Sequence, residues 1–201
     1  MNPSIQFKAT PSLLITLALL FICFGVLANV QAVVPPPDGG YPNFTTAEGT
    51  KALFSLTTGA ANTAVGWFSL FSDTTGSFNT ATGAGSLLFN TADQNTAFGA
   101  AALLFNTTGI NNTAIGATAL LHNTIAEENT ATGAFALSGN TTGLRNTATG
   151  DSALYSNTTG NQNTATGNAA LVLNTTGDQN TPMERSLSLA IPPAAATRPM
   201  E

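Results

Sequence analysis

The sequence predicts an all-β chain wound as a parallel β-roll or β-solenoid of 17-residue repeats, about eight coils in all. Three observations predict it. The string NTAxG begins at Asn62, Asn79, Asn95, Asn112, Asn129, Asn146 and Asn163, in 17-residue steps throughout except for one 16-residue step from Asn79 to Asn95. Gly and Leu keep fixed columns in every copy, as stacked coils require. Helices are excluded as the repeating element, because a 17-residue helical hairpin is too short and its Gly and Asn-Thr-Thr-Gly residues would break both helices.

Written out, the unit is NTAxGxxALxxNTTGxx, numbered here as columns one to seventeen. A degenerate copy, Thr45-Thr46-Ala47-Glu48-Gly49, precedes Asn62 by one period, and Asn180-Thr181 opens a further one. Column five holds Gly66, Gly83, Gly99, Gly116, Gly133, Gly150 and Gly167, where Gly accepts the positive φ of a tight corner. Column nine holds Leu70, Leu87, Leu103, Leu120, Leu137, Leu154 and Leu171, which are expected to point into the core. We expect a strand around NTAx, a turn at the first Gly, a second strand around xALx and a turn at NTTG. The Asn residues of columns one and twelve should form ladders whose side-chain amides bond from coil to coil. The Ala of column three fits either a tight interior or a subunit interface. Stacked at the strand spacing of about 4.8 Å, eight coils would make a rod roughly 40 Å long. Its core per coil is thin, so association of several rods is the expected remedy.

Outside the repeat the chain changes character. Residues 1–32 read as a secretory signal: Lys8 ends a polar start, an apolar run follows from Leu13 to Ala28, and Val30-Gln31-Ala32 suits cleavage after Ala32. The run is shorter than a membrane-spanning helix needs, so no membrane contact beyond the signal peptide is expected. Residues 33–44, VVPPPDGGYPN followed by Phe44, form a Pro/Gly linker, and residues 45–181 are the repeat region.

The tail, residues 182–201, abandons the repeat yet keeps its period, since Pro182-Met183-Glu184 recurs one full period later as Pro199-Met200-Glu201. We expect it to be disordered and to be a frame-shifted repeat. Met is ATG and Glu begins GA, so each Met-Glu step contains GGA, a Gly codon one frame over. With permitted codons throughout, the stretch from Thr181 reads TAYGTFALSSNTTGGSNTAYG in that frame, the repeat unit with its Ala, Gly, Leu and NTTG in place.

Composition excludes several functions. Five basic against ten acidic residues, scattered singly, give a net charge of -5 and no basic patch, so nucleic acid is not an expected partner. Cys23, the only cysteine, lies in the signal segment, so the mature chain should carry no disulfide or thiolate site. His122 is the only histidine and reads as a surface residue. Glu127-Glu128 is the one acidic pair and reads as a solvated turn rather than a catalytic dyad. No catalytic, metal or cofactor site is expected. The NTT turns also match a glycosylation acceptor, at Asn106, Asn140, Asn157 and Asn174. Aromatic residues crowd the first half, from Phe54 and Trp67 to Phe105, and suit an end cap or a subunit interface.

NTAVG at Asn62, NTAFG at Asn95 and NTAIG at Asn112, each followed by a small-residue stretch and another Gly turn, resemble the head repeats of YadA-like trimeric autotransporter adhesins. That resemblance implies a left-handed β-roll assembled as a homotrimer, displayed on a bacterial surface and attaching to host or matrix molecules. The leading expectation is therefore a non-enzymatic, secreted or surface-exposed adhesion module. The alternatives are an ice-binding or other surface-binding solenoid, or a fibre segment of a larger protein.

Overall fold

The computed structural model describes residues 42–181. The signal segment, linker residues 33–41 and the tail 182–201 lie outside the described residues.

Eight three-residue strands stack in sequence order into one parallel sheet: β1 (Thr46–Glu48), β2 (Thr63–Val65), β3 (Thr80–Thr82), β4 (Thr96–Phe98), β5 (Thr113–Ile115), β6 (Thr130–Thr132), β7 (Thr147–Thr149) and β8 (Thr164–Thr166). Each coil contributes one strand, and seven turns of the solenoid separate the first from the last. The register is like on like: Thr113 faces Thr130, Ala114 faces Ala131 and Ile115 faces Thr132. Side chains alternate across a strand, so the central Ala of every strand is buried while its two neighbours face outward. Ala therefore occupies the tight interior, which settles the choice left open for column three.

Leu70, Leu87, Leu103, Leu120, Leu137, Leu154 and Leu171 line the core with the column-three Ala and the Ala of column eight. The expected second strand around xALx is not formed. This stretch is a run of turns, because the residues of columns seven and nine adopt left-handed backbone, for example Thr118 at φ 55° and Leu120 at φ 51°. That conformation costs an L-residue roughly 1 kcal/mol, and here it lets the backbone curl without losing its coil-to-coil bonds. Leu120 N–H donates to the Ala136 carbonyl of the next coil (3.0 Å), and Thr118 N–H to the Ala100 carbonyl of the previous one (2.9 Å). The pairing expected of a second strand is thus made by a turn.

The Gly columns answer to different constraints. At column five Gly66 has φ 130°, and a Cβ there would lie 2.7 Å from the Gly83 carbonyl oxygen. At column fifteen the backbone is ordinary, and close approach decides: a Cβ on Gly160 would meet Asn157 Oδ1 and the Gly177 oxygen, each at 2.5 Å. The 16-residue coil absorbs its deletion in this second corner. Asn90 Nδ2 reaches the Ala92 carbonyl two residues on, where Asn106 reaches Gly109 three on, and strands β3 and β4 still pair Thr80 with Thr96.

The interior is half polar. Asn62, Asn79, Asn95, Asn112, Asn129, Asn146 and Asn163 are fully buried at column one. Asn129 is representative. Its N–H donates to Asn112 Oδ1 (3.0 Å), its Nδ2 donates to Asn112 Oδ1 (3.3 Å) and to the Gly143 carbonyl (2.9 Å), and its Oδ1 accepts from Asn146 N–H (2.9 Å) and Nδ2 (3.2 Å). A second ladder runs along column twelve, where Asn106 Nδ2 donates to Asn90 Oδ1 (2.7 Å) and Asn123 Nδ2 to Asn106 Oδ1 (2.8 Å). Column thirteen adds a third, in which the Thr107 hydroxyl donates to the Thr124 carbonyl (2.9 Å) and Thr141 to Thr158 (3.0 Å).

Asn129→Ala removes two donors and one acceptor from this interior and leaves the Asn146 N–H without its partner. It should cost about 3 kcal/mol or more, since each buried group left unsatisfied costs roughly 1–3 kcal/mol. Thr142→Ala, at an exposed position of the same turn, should stay within about 0.5 kcal/mol of the parent. Urea unfolding of the two variants compares them directly, and equal midpoints would contradict the ladder account.

Candidate functional site

With the interior occupied by Leu, Ala and Asn, anything the solenoid recognises must meet its outer columns. Two of these lie side by side on the single sheet. Column two is Thr in all eight strands, and column four reads Glu48, Val65, Thr82, Phe98, Ile115, Thr132, Thr149 and Thr166. Residues i and i+2 of a strand face the same way, so these columns form one outward face with charge only at its Glu48 end. Beyond it lie the Gly corners of column five, whose seven Gly residues named from the sequence pack backbone on backbone and offer no side chain to a ligand.

Aromatic rings line the flanks. Beside the first two coils, Phe54 and Phe71 stack at 5.5 Å and Phe68 tilts against Phe71 at 4.7 Å. The Lys51 ammonium sits over this group, 5.2 Å from the Phe68 ring and 5.5 Å from Phe54, a cation–π arrangement. These rings thus stack from the first coil to the second. Further along, Phe89, Phe105 and His122 occupy column eleven of successive coils and stack at 5.8 and 5.7 Å. With Thr107, Thr124 and Thr141 they line an open groove of about 440 Å³. His122 is held there by its Nδ1–H, which donates to the Ser138 carbonyl (2.9 Å).

Among the described residues, no three His, Cys, Asp or Glu side chains gather to hold a metal ion, and no helix is long and apolar enough to cross a membrane. Glu128 pairs with Arg145 one coil away, Nε donating to Oε2 at 2.7 Å, and both side chains are half exposed. Solvent screens such an exposed pair, so it contributes little to stability.

The carboxylate that does stand out is Asp73. It replaces Asn at column twelve and is fully buried, accepting from Gly76 N–H at Oδ1 (2.8 Å) and from Asn79 Nδ2 at Oδ2 (3.3 Å). Burial pushes its pKa up to about 6; the two hydrogen bonds oppose the shift and the charge of Asp93 adds to it. Read singly, Asp73 gives no sign of this. Read down its column, beside Asn90, Asn106, Asn123, Asn140, Asn157 and Asn174, it is a carboxylate placed where the fold stacks neutral amides.

No family model, curated protein or solved structure matches the chain, so its faces are read from their own chemistry.

Because the folded state holds the Asp73 proton more tightly than the unfolded chain, the contribution of Asp73 to stability should be full below about pH 4 and lost as pH rises through about 6. Asp73→Asn should flatten that decline and raise stability at pH 7.5 by on the order of 1 kcal/mol. Thermal melts of both proteins between pH 4 and 8 test this, and parallel curves would show that Asp73 is not the titrating group.

Proposed function

We propose that the repeat region is a non-enzymatic structural and adhesive module, secreted or displayed on the cell surface, that assembles as a homotrimer and attaches through many weak, repeated contacts. The observation that carries this reading is the like-on-like stack, which sets the outer columns of eight coils at one height per coil, with Thr at column two in every one. Contacts repeated at fixed spacing reinforce one another, since linked sites can raise avidity by roughly 10² to 10⁴ without any new contact. The resemblance of NTAVG, NTAFG and NTAIG to YadA-like head repeats supports the same assignment, and the pattern of residues 1–32 supports export.

Trimer formation is supported by two features. Among the described residues the apolar core consists of Ala and Leu alone, with a partly buried Leu56 at its edge. Large apolar side chains instead stand exposed at column four, Phe98 at 59% and Ile115 at 43%. Packing these between copies would supply the apolar burial that one thin rod lacks.

A second reading, ice binding, is favoured by one observation. Columns two and four bring Thr pairs together in Thr80-Ala81-Thr82, Thr130-Ala131-Thr132, Thr147-Ala148-Thr149 and Thr164-Ala165-Thr166. Val65, Phe98 and Ile115 interrupt the array, which is why it ranks second.

Light scattering of residues 33–201 at micromolar concentration should give three times the chain mass. A stable monomer would remove the trimer. Phe98→Asp with Ile115→Asp should dissociate the assembly and lower retention on collagen- or fibronectin-coated surfaces at least tenfold. Thermal hysteresis with no surface retention would instead favour the second reading.

A further inference from the structure

The last complete coil, residues 163–179, ends with its coil-to-coil bonds half made. Along column twelve each Asn donates backward and accepts forward: Asn140 Nδ2 donates to Asn123 Oδ1 (3.1 Å), Asn157 to Asn140 (2.8 Å) and Asn174 to Asn157 (2.8 Å). Asn174 is only 3% exposed, and its Oδ1 is the one buried side-chain polar atom among the described residues with no partner. The backbone repeats the pattern. From Leu53 to Leu154 every column-nine N–H donates to the column-eight carbonyl of the next coil, as Leu154 does to Ala170 (2.9 Å). Leu171 is 1% exposed, and its N–H has no such acceptor among the described residues.

The opposite end is finished differently. Thr45 replaces Asn at column one, and Leu56 replaces it at column twelve and packs against the core. The Asn43 carbonyl takes the Ala61 N–H (2.8 Å), and Asn43 Nδ2 donates to the Gly59 carbonyl (3.4 Å). A second copy stacked end to end would bring Leu56, not an amide, to Asn174 Oδ1. Both orphaned groups call for a coil of this same repeat, with Asn at column twelve and a free carbonyl at column eight.

We infer that the C-terminal end of coil 163–179 is the seat of one more NTAxG coil, and that the gene carries this coil one base out of frame beneath residues 182–196. The amino-acid sequence and the orphaned groups reach this point independently. Read one frame over, the tail's codons allow AYGTFALSSNTTGGS after Thr181. That string sets Ala at column eight to receive the Leu171 N–H, Leu at column nine to extend the core, and Asn at column twelve to donate to Asn174 Oδ1. Loss of a single base just after the Thr181 codon accounts for the whole tail, including the return of Pro-Met-Glu after one full period.

Two measurements test it. Resequencing the locus should show DNA beneath Pro182 to Glu201 that translates to the repeat in the shifted frame; any other translation overturns the inference. Hydrogen exchange then compares the chain as it stands with one in which the missing base is restored, using the Leu154 amide as an internal standard of folding. Restoring the base should slow exchange at Leu171 on the order of 100-fold, toward the rate at Leu154. A Leu171 amide that stays unprotected in a restored chain whose Leu154 is protected overturns the seat. Protection already present in the unrestored chain also overturns it: concentration dependence would assign the end to a second copy, and loss on truncation after Thr181 to the tail as written.

Discussion

Each coil of the repeat encloses room for one Leu, two small residues and two Asn side chains, so apolar burial alone cannot hold the stack together. The buried amides make up the difference, and they do so under a strict condition. An Asn inside the coil must direct its donors and its acceptor to neighbours at fixed height, because an unpaired buried amide costs more than a made hydrogen bond gains. Each coil therefore specifies the next: Asn112 is satisfied only if Asn129 sits one strand spacing away in register, and Asn129 asks the same of Asn146.

That condition explains features which otherwise look unrelated. Gly at column five lets adjacent corners approach to the distance the ladders need. The curled backbone around Leu120 costs local strain but keeps the Thr118, Leu120 and His122 N–H groups bonded from coil to coil. The deletion before Asn95 falls in the outer corner, where Asn90 can reach a carbonyl one residue nearer and leave the ladder unbroken. Asp73 is the exception within the stack, a carboxylate in an amide column, and its pKa is raised in consequence. Since the interior is committed to holding itself together, recognition is left to the Thr face and the aromatic flanks.

Much of this was legible in the sequence because the fold repeats its reasons. The period, the parallel stacking of the NTAx strands, the Leu core and both Asn ladders all follow from columns that change little between Asn62 and Asn180. The failed element, a second strand at xALx, failed for want of a signal. Columns seven and nine are left-handed yet hold Phe68, Ala101, Thr118, Ser152 and Leu, none of which advertises positive φ. Only the neighbouring coil's carbonyls impose it. The groove of Phe89, Phe105 and His122 was hidden for a related reason: these rings are ordinary one by one and meet only because 16- and 17-residue steps bring them to the same column.

The central claim is that the Asn side chains are buried, fully bonded members of the stack. Exchange of their Nδ2 protons measures this directly. Those of Asn112, Asn129 and Asn146 should exchange as slowly as the backbone amide of Leu120, through global unfolding, while the exposed Asn168 exchanges at the rate of a free side chain. Nδ2 protons of Asn129 that exchange as fast as those of Asn168 in the folded protein would contradict the account.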